Sequence, residues 1–116
     1  MSDLPPIPFA EIAGMARPMM LDICRRWVIG GRIKGREYIT LNPTRSDRTL
    51  GSFRINIVSG AWADFAVPAA RGGDAISLGC YLFDWSPVES ARHVARMVGH
   101  PFGDSQPAKK PDNAAA

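Results

Sequence analysis

Eight cationic side chains lie between positions 25 and 54: Arg25, Arg26, Arg32, Lys34, Arg36, Arg45, Arg48 and Arg54. Only Glu37 and Asp47 oppose them, a segment charge of +6. Residues 1–24 carry −2 and residues 55–116 carry −1, so the overall net charge of +3 conceals a steep segregation. Seven of the eight cations are Arg. A guanidinium matches phosphate oxygens two at a time, whereas a face kept for solubility more often mixes Lys with Glu. The pattern favours an anionic partner; the alternative is a solvated face of unrelated charges.

The other residues able to do chemistry are not arranged for it. His93 and His100 have no Cys, His or carboxylate at metal-ligand spacing, and no Ser or Cys is set beside a His in a hydrolase pattern. Cys24 and Cys80 stand 56 positions apart, far from C-x-x-C spacing, and read as buried thiols in a reducing cytoplasm. Asp64 reads as a hairpin residue and Asp74 as a helix cap rather than as a catalytic pair. Gly72-Gly73 lacks both the G-x-G-x-x-G spacing and the Lys of a nucleotide loop, and reads as a turn. The expectation is a non-enzyme with no catalytic residues, no metal and no cofactor.

These residues must be positioned by one small domain, since 116 residues fall within the usual size of a single unit. Hydrophobic residues make up 46% and charged residues 22%, which excludes a wholly disordered chain. There is neither a run of apolar residues long enough for a membrane span nor a basic-then-apolar leader at the start, so a cytoplasmic protein without a membrane partner is expected. Three prolines in MSDLPPIP predict a flexible stretch over 1–8. Ile12, Met15, Met19, Ile23 and Trp27 recur at helical spacing, and Pro18 divides that helix into two pieces. Gly30-Gly31 ends it, and Arg32 to Gly35 reads as a loop.

From Arg36 the period becomes two. Tyr38 and Thr40 face one way and Glu37, Ile39 and Leu41 the other, until Asn42-Pro43 breaks the run. Ser52 to Val58 alternates Phe53, Ile55 and Ile57 against Ser52, Arg54 and Asn56, and after the Ser59-Gly60 turn Ala61 to Ala66 returns as a partner strand. These predict a three-stranded meander. Val67 to Gly73 reads as a loop, and Asp74 is positioned to cap a helix from about Ala75 to Phe83. Ser86-Pro87-Val88-Glu89 is a capping-box sequence with Pro at the first helical position. It predicts a helix from Pro87 to Val98 with Gly99 as its C-terminal cap and Val88, Ala91, Ala95 and Val98 inward. A single α+β domain over 9–100, with a flexible tail over 101–116, follows from this pattern.

In order and spacing, the segments GREYITLNPTRSDRTLGSFRIN, GAWADFA, GGDAISLGCYLF and SPVESARHVARMVG resemble the N-terminal zinc-ribbon domain of bacterial, phage and integrative-element DNA primases. The resemblance runs from Gly35 to about Gly99. On its frame Asn42 and Arg45 occupy the first pair of ligand positions, and Asp64 and Val67 fall near the second, so all four zinc ligands are absent. The resemblance therefore implies a zinc-ribbon-like meander without metal, flanked by an N-terminal helix and two C-terminal helices. Aromatic and aliphatic packing by Tyr38, Leu41, Phe53, Ile55, Trp62 and Phe65 would then close the sheet.

The resemblance also implies binding rather than chemistry, because in that family the ribbon contacts single-stranded template while another domain makes the primer. The expected function is a single-stranded DNA-binding module of a phage or mobile-element replication system. Arg32, Lys34, Arg36, Arg45, Arg48 and Arg54 would grip phosphates, and Tyr38 or Trp62 would stack a base. The rival reading is a small protein-binding factor. This would be an inhibitor of a host defence nuclease complex, such as an anti-CRISPR, or an accessory subunit of a polymerase or helicase; the absence of a catalytic domain after Gly99 supports it.

Overall fold

Pro18 has no amide hydrogen, so it cannot continue the ladder of a helix beginning at Phe9. In the computed structural model, which describes residues 6–44 and 51–104, α1 spans Phe9–Ala16 and the Arg17 amide turns back to the Gly14 carbonyl. A 3₁₀ turn over Arg17–Met19 follows, and α2 spans Met20–Trp27. The two helical pieces are as expected, but the buried stripe is Ile12, Ala16, Met20, Ile23 and Cys24, while Met15 is exposed. Within α1 the buried repeat runs from Ile12 to Ala16, four residues on, and Met15 falls one position short of that side.

The sheet has five antiparallel strands in sequence order: β1 (Arg32–Lys34), β2 (Glu37–Thr40), β3 (Phe53–Asn56), β4 (Trp62–Asp64) and β5 (Arg71–Gly72). The meander expected from the sequence supplies the middle three. Both edges fall on segments expected to be loops. β1 is too short for its single apolar residue, exposed Ile33, to mark a strand, and β5 has no apolar side chain, so each is held by the backbone ladder to its neighbour rather than by a buried side chain of its own.

Residue parity divides the sheet. Tyr38, Phe53, Ile55 and Trp62 point into the core and are buried there with Ile12, Met20, Ile23, Leu78 and Val94 from the helices. Leu41 and Phe65, expected in this packing, lie on the opposite face and are exposed. Phe65 follows Trp62 by three residues, one past the end of β4, and continues the outward side of the strand's alternation against Arg54. The Tyr38 hydroxyl donates to the Val28 carbonyl at 2.6 Å and accepts from the Gly31 amide at 3.0 Å, joining β2 to the end of α2.

The first C-terminal helix, α3 (Ala75–Phe83), begins where expected. Asp74 accepts from the Ser77 amide at 2.8 Å, and the Ser77 side chain completes a reciprocal cap. Ser77 also accepts from Trp62 Nε1 at 2.9 Å, which ties the helix start to β4. Gly72 lies beneath that contact. A Cβ there would stand 2.4 Å from Ser77 Oγ and 2.6 Å from Trp62 Nε1, so Gly72 serves a close approach of side chains to backbone.

The last long helix, α4 (Pro87–Val98), is capped by Ser86, which accepts from the Glu89 amide at 3.1 Å, and it ends at Gly99 with φ +80. Its buried face is Ser90, Ala91, Val94 and Ala95, whereas Val88 is exposed. The chain stays packed beyond residue 100. A 3₁₀ turn over Pro101–Asp104 lies on α4, with Arg96 Nε donating to the Gly103 carbonyl at 2.9 Å. The molecule is thus α+β, with an N-terminal helical segment and two C-terminal helices covering one face of an antiparallel sheet.

Candidate nucleic-acid interface

With the helices on one face, the register defines what the other face presents. Arg32 pairs with Ile39, Ile39 with Arg54, Arg54 with Ala63, and Ala63 with Arg71. These five residues form one row across all five strands on the side away from Tyr38, Ile55 and Trp62. Strands in a sheet are about 4.8 Å apart, so the three Arg backbones repeat about every 10 Å along the row. Lys34 and Glu37 stand on the same face two pairs further along β1 and β2. Arg36 is exposed in the hairpin turn between those strands.

Arg54 occupies the centre and is held in place. Its Nη1 is 3.0 Å from Glu37 Oε1, its Nε donates to the Gly51 carbonyl at 2.8 Å, and its guanidinium carbon lies 5.8 Å from the centre of the Phe65 ring. Glu37 and Arg54 are each about one-third exposed, so water and salt screen the pair and it is worth little to stability. Among the described residues no carboxylate is ion-paired with Arg32, Lys34, Arg36 or Arg71. A shallow depression of about 190 Å³ runs beside Arg54, lined by Glu37, Asn56, Ala61, Ala63 and Phe65.

The structure therefore brings Arg32, Lys34 and Arg54 onto one face, with Arg36 at its edge. Arg45 and Arg48 lie outside the described residues. The two aromatics expected to stack bases are not available for that work. Tyr38 is 2% exposed with its hydroxyl committed to the backbone, and Trp62 is 5% exposed, packed against Phe53 and Tyr81 with its indole N–H committed to Ser77. A sheet this small draws its large rings into the core. The exposed ring on the cationic face is Phe65, at 68%. Arg71 joins the row without any signal in the sequence, because its place depends on β5, whose residues carry no strand pattern.

The histidines have structural partners. His93 stacks on Trp85 with ring centres 3.8 Å apart and planes 2° from parallel, and His100 Nδ1 accepts from the Phe102 amide at 3.0 Å. No group of three or more His, Cys, Asp or Glu among the described residues could hold a metal ion. Asn42 and Asp64 are both buried and bonded to each other, Nδ2 to Oδ2 at 2.8 Å. Burial pushes the Cys24 thiol up from 9.0 to about 12, since the low-polarity core disfavours a thiolate. No helix among the described residues is long and apolar enough to cross a membrane. No family model matches this sequence, and no curated protein is significantly similar to it.

Proposed function

We propose that this chain is a non-catalytic module that binds single-stranded DNA in a phage or mobile-element primase or replication system, in the cytoplasm, through the outer face of its sheet. The observation that carries this reading is the row of Arg32, Arg54 and Arg71 across the strands, with Lys34 and Arg36 beside it; of these five, Arg54 alone is ion-paired with a carboxylate among the described residues. Phosphates would approach an open cationic surface without displacing buried contacts. The resemblance to primase ribbons adds to this reading, since there too the ribbon meets template rather than performing the polymerisation.

The test is an electrophoretic shift with labelled single-stranded and duplex DNA over a salt series. Single strands should bind at low salt, and log K should fall linearly with log salt, at about 0.7 per phosphate neutralised. Salt-independent binding, or none at low salt, removes the reading.

A second reading is a protein-binding factor: a polymerase or helicase accessory, or an inhibitor of a host defence complex such as an anti-CRISPR. It is favoured by an open, largely apolar groove of about 510 Å³ that adjoins the β5 end of the Arg row, lined by Phe9, Ile76, Cys80, Tyr81 and Pro87 with Arg71 at its rim. Co-purification of a defined protein complex free of nucleic acid, with no shift of labelled strands, would favour it.

A further inference from the structure

We infer that Phe65 is the base-stacking platform of the cationic face and that it is what makes the bound strand a single strand; this rests on the nucleic-acid reading above. Phe65 is 68% exposed, whereas Phe53, Tyr38 and Trp62 are almost completely buried, so among these rings it is the one open to a ligand. Its position is set by the register. Phe53 pairs with Asp64, the last residue of β4; the Phe65 amide just beyond it donates to the Ser52 carbonyl at 2.8 Å, and Phe65 lines the same depression as Arg54 and Ala63, two members of the Arg row.

The ring is therefore two residues on from Ala63 of the row, just past the end of β4, with the Arg54 guanidinium 5.8 Å from its centre. Leu41, the residue after β2, is exposed at the same end of the sheet. An apolar ring beside a line of exposed cations fits a ligand that alternates flat apolar groups with anions. A single-stranded nucleic acid has that composition, because its bases are free to leave one another and lie on a side chain. In a duplex the base faces are already covered by their neighbours, and a ring on this surface would meet only the sugar–phosphate exterior. The Arg row would serve either form of DNA, whereas Phe65 rewards only the unpaired one.

The experiment compares wild-type protein with Phe65→Ala and Phe65→Tyr on three probes of equal length: a single strand, the same strand with abasic sites throughout, and the duplex. Phe65 is on the surface, so unchanged thermal unfolding is expected of both variants and is checked first. Phe65→Ala should weaken single-strand binding about tenfold, leave abasic and duplex binding within twofold of wild type, and be restored by Phe65→Tyr. An equal loss on the ordinary and abasic strands would assign Phe65 to backbone contact and overturn the inference. So would single-strand binding unchanged by Phe65→Ala, in which case the cationic-face reading still stands. Failure of the wild-type protein to bind any single strand at low salt overturns both together.

Discussion

Asn42 and Asp64, 22 residues apart in sequence, are joined in the interior by a 2.8 Å hydrogen bond from Nδ2 to Oδ2. The same Asn42 amide group donates to the Tyr81 hydroxyl at 2.8 Å, and its Oδ1 accepts from the Thr44 amide at 2.9 Å and the Thr44 hydroxyl at 2.7 Å. Asp64 Oδ1 accepts from the Ala66 amide at 2.9 Å. The network fastens the segment after β2 to the end of β4 and to α3. On the proposed kinship with primase ribbons, Asn42 and Asp64 fall at or near ligand positions of two different pairs, so a polar network joins the places that a metal would otherwise bridge.

Removing the carboxylate should show how much the network holds. Asp64→Ala takes the Asp64 acceptor from one N–H of the buried Asn42 amide, at roughly 1–3 kcal/mol, while the N–H of exposed Ala66 can turn to water. Tyr81→Phe removes one hydroxyl from a half-buried position and should cost about 1 kcal/mol. Denaturant unfolding of both variants checks the ordering. An Asp64→Ala protein as stable as wild type would mean that the fold does not depend on this fastening.

The cationic row predicts a change in salt dependence as well as in affinity. Arg32→Ala and Arg71→Ala each remove an exposed guanidinium that makes no ion pair with a described residue, so neither should lower the unfolding midpoint measurably. Each should weaken single-strand binding and reduce the slope of log K against log salt by about 0.7 for every phosphate that the variant no longer neutralises. If the two variants weaken binding with the slope unchanged, these side chains do not meet phosphate.

How far this surface could be read from the sequence depends on what each feature rests upon. The middle strands are legible because Phe53, Ile55 and Trp62 alternate with Arg54, Asn56 and Ala63. The caps at Asp74 and Ser86 are legible because the cap is a local contact within three residues. The side taken by Phe65 is also available from its odd separation from Trp62, but a large ring in a small domain invites assignment to the core. What cannot be read is the register of β1 and β5, which brings Arg32 and Arg71 into line with Arg54. Register is set by pairing between distant segments, and Arg32-Ile33-Lys34 and Arg71-Gly72 carry little hydrophobic pattern to specify it.

Glu37 should act as a brake on binding. It stands on the outer face within 3.0 Å of the central Arg54, so a phosphate arriving there must share or displace it and is repelled by its charge. Glu37→Gln keeps the shape and removes the charge. Single-strand affinity should rise about two- to fivefold at low salt, with the gain vanishing near 1 M salt as screening becomes complete. Because the pair is at the surface, the same substitution should change folding stability by less than about 1 kcal/mol. Lower affinity in Glu37→Gln would show that the carboxylate holds Arg54 in its binding position rather than competing for it.

Cys24 makes stability sensitive to alkali in a defined direction. Its side chain is fully buried, and its pKa is raised from 9.0 to about 12 by loss of hydration. The folded state therefore favours the protonated thiol. This contribution is fully present below pH 9 and is lost as pH rises from 9 toward 12, because the unfolded chain releases the proton over that window and the folded chain does not. Three units correspond to a loss on the order of 4 kcal/mol at the upper end. Cys24→Ala should unfold more readily at pH 7 because of the small cavity, yet its stability should fall less than that of wild type between pH 9 and pH 11. Alkylation at pH 8 offers an independent check. Half-buried Cys80 should react first and Cys24 only on the timescale of unfolding, so equal labelling of both thiols in the native protein would contradict the burial on which this pH dependence rests.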